Sequence, residues 1–153
     1  MSTTSGTLLT LSTYVMSRTG KDARARLAER LARRGLRLWH ATVLSALDAY
    51  GPQVKSELAA RLDIHTTDLA RVVNDLAKAG YVTCAQRPED RRLIEVALTP
   101  EGRSALTEIS AELTAVDDDL LAPLSAAERL LLESLLRRLF AHICRPAADI
   151  GCG

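Results

Sequence analysis

The chain has 153 residues, is 47% hydrophobic and has a formal net charge of +1, with the basic excess confined to residues 1–40. This length suits one cooperative domain and is too short for two full-sized ones. The sequence has no run of eighteen consecutive apolar residues, and its opening lacks a basic start followed by an apolar core. We therefore expect neither a membrane span nor a secretory signal, and hence a cytoplasmic protein.

The first predicted element is helical and fills most of residues 8–35. Its apolar side chains recur at helical spacing in two groups, which are Leu8, Leu11 and Val15, followed by Leu27 and Leu31. The pattern is compatible with one long helix or with two helices joined near Gly20. Gly35 is predicted to end it.

Two shorter helices are predicted next. Residues 39–49 place Val43, Leu44 and Leu47 on one side and are closed by the Gly-Pro break at residues 51–52. Residues 55–62 then form a short amphipathic helix.

Residues 67–79 carry the sharpest helical pattern in the chain. Apolar side chains fall at positions i, i+3, i+4 and i+7, which are Leu69, Val72, Val73 and Leu76. Gly80 ends this helix. Beyond it the period changes to two in residues 82–87 and 93–98, with a turn at residues 88–90, which predicts a β-hairpin.

The last third of the chain returns to a helical period after Thr99. Its apolar seam is spaced for packing against another helix and consists of Leu106, Ile109, Leu113, Val116 and Leu120. Pro123 ends the stretch. Residues 125–128 (SAAE) have the form of a capping box and start a leucine-rich helix that runs to about residue 145. We expect the tail after Pro146 to be frayed.

The polar face of residues 67–79 has the composition of a DNA-recognition surface. A helical wheel groups Thr67, Arg71, Asn74 and Lys78 in one sector, with Ala70 beside them and His65 and Thr66 just before the helix. Arginine can fork onto guanine, asparagine can pair with the adenine edge, and threonine at a helix start can contact phosphate. Any surface helix carries polar residues opposite its buried stripe, so this face alone is equally consistent with ordinary solvent exposure.

The tip of the predicted hairpin, RPEDRR at residues 87–92, holds three arginines around a turn. Guanidinium groups at such a tip can reach the minor groove or its phosphates. We expect Asp90 to pair with Arg92 and orient it, which leaves Arg87 and Arg91 free for phosphate. The order of short helix, tight connection, amphipathic helix and hairpin is that of a winged helix-turn-helix.

Three segments together resemble the MarR family of transcription regulators. They are NDLAKAGYV at residues 74–82, RPEDRR at 87–92 and VALTPEGR at 96–103. These are similar to the family's recognition-helix end, its wing with a D-x-R element, and the L-T-x-x-G start of its dimer helix. The resemblance covers residues 54–103 in motif detail and residues 8–143 in the order of elements.

The resemblance implies a mainly α fold with a small β-hairpin wing, arranged as one MarR-like domain over residues 1–153. Residues 38–100 would be the winged helix-turn-helix, 1–36 and 120–146 the dimerisation helices, and 101–119 the connecting helix. The apolar seam and the leucine-dense last helix agree with a homodimer, because one chain alone would leave much apolar surface in water.

The function that this resemblance implies is sequence-specific binding of double-stranded DNA by a transcription regulator. We expect a repressor that a small-molecule effector releases from DNA. The two-fold symmetry of a homodimer predicts a near-palindromic operator.

Two features depart from the family pattern. Asp68 and Asp75 flank the recognition sector, so the lobe is locally neutral. The surrounding basic residues, Lys55 among them, must therefore supply the attraction to phosphate. The connection at residues 63–65 lacks the glycine often found in helix-turn-helix turns, although aspartate tolerates a left-handed conformation better than most residues. The near-neutral lobe keeps open an alternative, a winged helix that binds protein partners without specific DNA binding.

Regulators that resemble this family usually have an effector crevice where the dimer helices meet the DNA lobe. Tyr14, Arg18, Trp39 and His40 are candidate contacts, as aromatic, basic and titratable residues on the bordering elements. Core packing is the alternative for Tyr14 and Trp39, and an interhelical hydrogen bond is the alternative for His40. The first region's basic residues, Arg34 included, are expected to form a solvated face. If they approach the crevice they favour an anionic effector, and phenolic ligands are also candidates.

The cysteine, histidine and glycine patterns argue against metal, redox and catalytic functions. The three cysteines have no C-x-x-C spacing, and Cys84 is expected to be a small hydrophobe on a strand that faces the core. Cys144 and Cys152 could bridge subunits on oxidation, although reduced thiols are the default in the cytoplasm. The three histidines lack metal-site spacing and no catalytic arrangement is recognisable, so we expect no metal, no cofactor and no enzymatic activity.

Overall fold

The computed structural model describes residues 7–144, and this part of the chain forms six α-helices and three short strands. The helices are α1 (Ser12–Ala32), α2 (Leu38–Tyr50), α3 (Lys55–Leu62), α4 (Thr66–Lys78), α5 (Pro100–Leu120) and α6 (Ala126–Ile143). The strands are β1 (Gln53–Val54), β2 (Val82–Gln86) and β3 (Ile94–Leu98). The predicted tail after Pro146 and Cys152 lie outside the described residues.

α1 is one continuous helix that passes through Gly20, so the chain adopts the first of the two arrangements compatible with its sequence. A single 3-10 turn at Leu8–Thr10 precedes it. The helix ends in a turn through Gly35, where the Leu36 N–H donates to the Leu31 carbonyl at 3.0 Å. No described helix combines the length and apolar character needed to cross a membrane.

The hydrophobic core belongs to the first of two compact units, which ends at Val116. Its most deeply buried large side chains come from α1 to α5 and are Leu31, Leu44, Leu47, Leu58, Leu69, Leu76 and Ile109. Burying one leucine contributes roughly 1.5–3 kcal/mol. Because α4 packs against both α2 and α3, this core fixes the face that α4 turns outward.

The three strands form one antiparallel sheet in the order β1-β3-β2. The predicted hairpin is confirmed, with Val82 opposite Leu98 and Gln86 opposite Ile94. β1 pairs Gln53 with Val96 and was not predicted. Two residues are too few to show the alternation by which strands are recognised in a sequence.

The second unit begins at Asp117 and contains the last turn of α5 and all of α6. The predicted capping box is confirmed, since Ser125 Oγ accepts from the Glu128 N–H at 3.2 Å and Glu128 Oε2 accepts from the Ser125 N–H at 2.8 Å. Arg129 donates to the Leu121 carbonyl and pairs with Asp118, which closes the turn between the helices.

None of the described side chains of α6 is buried in this structure of a single chain. The helix nevertheless exposes seven large apolar residues, which are Leu130, Leu131, Leu135, Leu136, Leu139, Phe140 and Ile143. Leucines on a solvated helix gain nothing from the hydrophobic effect until another surface covers them.

Candidate nucleic-acid interface

α4 turns its apolar stripe to the core and its polar sector to solvent. The buried residues are Leu69, Val72, Val73 and Leu76. The predicted contact residues on the helix are all exposed, and they are Thr66, Thr67, Ala70, Arg71, Asn74 and Lys78. The helix begins at His65, whose Nδ1 accepts a hydrogen bond from the Thr67 N–H at 3.3 Å. The fold therefore brings the predicted sector together on one solvent-facing side.

The turn before α4 is the helix-turn-helix connection that lacks glycine. Asp63 follows α3 in the left-handed conformation, with a φ of 51°, in line with the tolerance predicted for aspartate. The Ile64 N–H donates to the Ala59 carbonyl at 3.1 Å, which satisfies one of the last carbonyls of α3. Ile64 also packs against the core, and this fixes the direction in which the chain enters α4.

The tip of the wing is organised by Asp90. Its carboxylate accepts hydrogen bonds from the Arg92 backbone N–H at 3.0 Å and from the Arg92 guanidinium at 3.1 Å, so the predicted pairing is confirmed. The side-chain hydrogen bond from Arg92 is the main cause that holds the pKa of Asp90 below its ordinary value. The Arg92 side chain is 89% exposed, and the bound carboxylate orients it toward solvent.

The expectation that Arg87 is free for phosphate is wrong. Its Nε donates to Glu95 Oε2 at 2.9 Å, and the residue is only half exposed. The reason is the register of the hairpin: the Arg87 N–H donates to the Leu93 carbonyl, which places Glu95 diagonally across on the same face. Arg91 is exposed and forms no ion pair with any residue from 7 to 144.

Cys84 is exposed, so its assignment as a small core hydrophobe is also wrong. β2 is one of the two edge strands of the sheet, and Val82 at its start is the one buried residue in it. The core thus covers β2 only where the strand begins, and the later residues project with the wing. Within residues 7–144 no group of three or more His, Cys, Asp and Glu side chains is placed to hold a metal ion.

A cavity of about 280 Å³ opens between the start of α3, the start of α4 and the wing. Its polar lining residues are Lys55, Ser56, Thr66 and Arg92. Ser56 was not singled out from the sequence, although its position beside Lys55 at a helix start was a usable signal. The cavity shows that Thr66 and Arg92, predicted from separate motifs, border one space.

The base of the wing is tied to α5 by the residues of the T-x-x-G motif. Thr99 Oγ1 donates to the Gly80 carbonyl at 2.7 Å and accepts from the Gly102 N–H at 2.9 Å, while the Thr99 N–H donates to the Tyr81 carbonyl at 3.0 Å. A Cβ on Gly102 would overlap the Tyr81 carbonyl, so this close approach of two backbones requires glycine. The motif thus holds the end of the recognition helix against the start of α5.

Residues 38–102 match the family model of a winged helix DNA-binding domain. A putative transcriptional regulatory protein for the hcr operon of Thauera aromatica is 34% identical over 96 residues, which cover 63% of this chain and 58% of that relative. The transcriptional repressor MprA of Escherichia coli is 28% identical over 94 residues, which cover 61% of this chain and 53% of that relative. The chain therefore spans little more than half the length of these curated relatives.

Solved structures share the fold over most of the chain. A probable transcriptional regulator from Pseudomonas aeruginosa has a TM-score of 0.76 and 28% identity, covering 87% of this chain and 99% of its own. BpsR of Bordetella bronchiseptica, whose DNA binding is regulated by 6-hydroxynicotinic acid, has a TM-score of 0.76 and 22% identity, covering 88% and 96%. A mutant MarR from E. coli, complexed with operator DNA, has a TM-score of 0.73 and 21% identity, covering 88% and 99%.

The chain contains a winged helix DNA-binding domain and shares its fold with MarR, and MarR-type denotes this shared fold below. The predicted family resemblance and fold class are thereby confirmed. The matched domain of this MarR-type chain runs from the start of α2 to Gly102, so it includes the recognition helix, the wing and the joint to α5.

The four predicted effector contacts of the MarR-type chain lie on two helices. Tyr14, half-buried, and Arg18, exposed, are in the first half of α1, whereas Trp39 and His40 are in the first turn of α2. Trp39 is 37% exposed, so it is not a core residue. His40 is buried and both ring nitrogens are hydrogen-bonded. The bond to Asp75 on α4 is the interhelical hydrogen bond that was considered as the alternative to effector contact. Effector contact by these residues stays a prediction.

The expectation that Arg34 is part of a solvated basic face is wrong. It lies in the turn after α1 and donates to Glu112 at 2.6 Å and 3.0 Å and to Glu108 at 2.9 Å. Glu108 and Glu112 are one turn apart on α5, so a single guanidinium reaches both. The side-chain hydrogen bond to Glu112 is the main cause that raises the pKa of Arg34, and it holds the pKa of Glu112 below its ordinary value.

Proposed function

We propose that this MarR-type chain is a sequence-specific DNA-binding transcription regulator that acts as a repressor and binds a near-palindromic operator as a homodimer. One observation carries the proposal: the outer face of α4 presents Arg71 and Asn74 to solvent beside a wing whose tip exposes Arg91 and Arg92. The matched relatives are named as regulators, so the proposed activity is binding and not catalysis. We also propose that the protein acts in the cytoplasm, where a DNA target would lie.

The recognition helix supplies base contacts in this proposal. Arg71 suits a forked contact with guanine, and Asn74 suits the edge of adenine. Thr67 and Ala70 present methyl groups on the same side, which suits contact with thymine. His65 and Thr66 at the start of the helix, and Lys78 at its end, suit phosphate contacts that fix the register without reading sequence.

The wing supplies contacts to the backbone and the minor groove. Arg91 and Arg92 reach outward from the tip, and Asp90 sets the direction of Arg92 before DNA arrives. Arg87 acts through its ion pair with Glu95, which braces the hairpin and keeps the tip extended.

A second copy of the chain is the proposed partner of the exposed apolar side chains. We assign residues 1–36 and 120–146 to dimerisation, 101–119 to the connecting helix and 38–100 to the winged helix-turn-helix. Support comes from Leu8 and Leu9 near the start of the chain and from the seven exposed apolar residues of α6. A two-fold dimer requires half-sites whose centres are about 10 bp, or a multiple of this, apart.

Repression and its release by a small molecule are proposed from the relatives. MprA is named a transcriptional repressor, and the DNA binding of BpsR is regulated by 6-hydroxynicotinic acid. We propose Tyr14, Arg18, Trp39 and His40 as contacts for an anionic or phenolic effector. Calorimetry with phenolic and carboxylate ligands tests this, and the absence of heat with both classes would count against it.

The experiment that tests DNA binding uses duplexes recovered with the protein from fragmented genomic DNA. Fluorescence anisotropy at a series of salt concentrations is expected to show affinity falling steeply, by about 10³-fold or more between 50 and 200 mM salt if six or more phosphates are neutralised. Arg91→Ala and Arg92→Ala should weaken binding with the oligomeric state unchanged, whereas Arg138→Ala on α6 should leave affinity unchanged. An Arg92→Ala protein that bound the same duplex unaltered would contradict the wing assignment.

The second candidate function is a winged helix that binds protein partners without specific DNA binding. It is favoured by the exposed carboxylates of Asp68 and Asp75, which make the reading lobe nearly neutral. Under this alternative, genomic capture would enrich no sequence and duplex binding would show no steep salt slope.

A further inference from the structure

We infer that His40 is a positioning residue for DNA recognition: its imidazole holds the Asp75 carboxylate and thereby keeps the Arg71 guanidinium available to a base. The inference rests on the proposed function and deepens it, because it concerns how the recognition helix is kept ready to bind. It assigns His40 a role inside the reading lobe that needs no effector.

The spacing of charges on α4 permits a competing ion pair within the helix. Asp75 follows Arg71 by four residues, and both side chains are exposed. Oppositely charged side chains at this spacing form ion pairs on helix surfaces. An arginine paired in this way would have to give up a partner before it could donate to guanine.

His40 takes the carboxylate that would otherwise pair with Arg71. Its Nε2 lies 3.1 Å from Asp75 Oδ2, and Arg71 forms no ion pair with any residue from 7 to 144. The Asp75 side chain is 59% exposed, so a rotation about its own side-chain bonds would be enough to redirect its charge. His40, at 5% exposure, has no such freedom.

The orientation of the imidazole is set from its other side. The Arg37 N–H donates to His40 Nδ1 at 2.8 Å, so Nδ1 must be the acceptor and the ring proton of the neutral form sits on Nε2. That proton points at Asp75. The Arg37 N–H at the start of α2 thus selects the His40 tautomer that can donate to Asp75 on α4.

Two substitutions separate the two hydrogen bonds of the ring. In His40→Asn the amide oxygen takes the place of Nδ1 and keeps the bond from Arg37, while the donor to Asp75 is lost. In His40→Gln the longer amide places its nitrogen near the position of Nε2 and keeps the donor to Asp75, while the acceptor for Arg37 is lost. Only His40→Asn should release the carboxylate.

Operator affinity at low salt is the first readout. His40→Asn is expected to bind about twofold more weakly than the wild-type protein, since an exposed ion pair at this spacing must be broken before Arg71 can donate to a base. Adding Asp75→Asn should abolish this loss, because the Asp75 carboxylate can no longer compete for Arg71. His40→Gln should bind like the wild-type protein with a lower Tm.

Asp68 provides the matched control. It is an exposed acid in the first turn, on the same flank of the helix and three residues before Arg71, and no side chain from residues 7 to 144 forms a hydrogen bond or ion pair with it. Asp68→Asn should raise operator affinity by the same factor in the wild-type protein and in His40→Asn. Coupling between positions 40 and 75, without coupling between 40 and 68, is the expected result of the double-mutant cycles.

The guanidinium of Arg71 gives a second readout in the absence of DNA. Its Nε–H resonance in NMR spectra is expected to show a mobile side chain in the wild-type protein and in Asp75→Asn, and a restrained one in His40→Asn. This comparison remains decisive if one variant loses operator affinity through instability, because it reports on the guanidinium directly and needs no DNA.

The inference would be overturned by an Asp75→Asn substitution that raised affinity equally with His40 or Asn at position 40. A restrained Arg71 in the wild-type protein would overturn it as well. A wild-type protein that bound no duplex at all would instead refute the proposed function, and the role of His40 in recognition with it.

Discussion

Arg71 stands on the outer face of α4 with its guanidinium exposed, where a single side chain can read one base pair. Arg71→Ala should cost about 1–3 kcal/mol of binding free energy for the cognate duplex and relax the preference at one position. Anisotropy titrations with the operator and with single-base variants measure both effects.

Lys78→Ala is the matched control for Arg71→Ala, since Lys78 lies at the end of the same exposed sector. A phosphate contact should weaken all duplexes by the same factor and reduce the salt slope by about one. Uniform weakening by Arg71→Ala would show that Arg71 contacts phosphate and does not read a base.

Single residues were predictable from the sequence when their partners were close along the chain. The Asp90–Arg92 pair was predicted because two residues across a turn must meet, and the left-handed Asp63 because few other residues tolerate that conformation. Arg87 and Cys84 were assigned wrongly. The partner of Arg87 depended on the hairpin register, and alternation along β2 did not reveal where the core ends.

At the scale of elements, the joint between the wing and α5 depends on one glycine. Gly102→Ala should destabilise the fold by about 1–3 kcal/mol, because the new Cβ forces apart the backbones of α5 and Tyr81. Urea unfolding followed by circular dichroism measures the change in the free energy of unfolding.

Gly20 is the control for Gly102, because a Cβ there would meet nothing within 4 Å in the middle of α1. Gly20→Ala should stabilise the protein by roughly 0.5–1 kcal/mol through helix propensity. Equal effects of the two substitutions would show that the Thr99 motif does not hold the joint.

The contact between the end of α1 and α5 should depend on pH through Glu112. Hydrogen bonding from Arg34 holds the folded-state pKa of Glu112 below its ordinary value of 4.5. The contact is therefore fully present above pH 4.5 and is lost as the pH falls through the folded-state value. Glu112→Gln should speed amide exchange in the turn after α1 at pH 7, and the effect should shrink at a pH below the folded-state pKa of Glu112.

Glu29→Gln is the comparison for this pH effect. Glu29 in the last turn of α1 pairs at 3.6 Å with Arg33, the residue that follows the helix, and both side chains are well exposed. Its substitution should leave amide exchange in the turn unchanged at either pH. If the two substitutions behaved alike, the contact between Arg34 and α5 would not hold the turn in place.

Elements were predictable in proportion to their length and periodicity. α4 and the hairpin were predicted because their apolar residues follow one clear period, and α6 because a capping box marks its start. β1 was missed, and α1 was left as one helix or two, because an isolated glycine in a helical pattern does not by itself show a break.

At the scale of the whole molecule, the fold class was predictable because the winged helix motifs follow one another in a characteristic order. The homodimer stays a prediction, since it concerns surfaces that a single chain leaves in water. Phe140, 68% exposed on α6, gives a direct test. Phe140→Asp should yield monomers in light scattering and weaken operator binding at least about tenfold, because two linked half-site contacts become one.

Arg138→Asp, two residues earlier and also exposed, is the control for Phe140→Asp. It places the same carboxylate on α6, with a net charge change of −2 instead of −1, but removes no aromatic ring, so it should leave the protein dimeric. Should Phe140→Asp also remain dimeric with unchanged operator affinity, the assignment of α6 to the subunit interface would be wrong.

The solvated leucines of α6 also imply that operator occupancy depends on how many copies of the protein a cell contains. If α6 is covered only when two chains associate, the concentration of dimers in dilute solution varies with the square of the chain concentration. Halving the number of copies in a cell would then reduce the occupied operators by up to a factor of about four. Cells with few copies would lose control of the target genes abruptly, and the level of the protein itself would set the threshold.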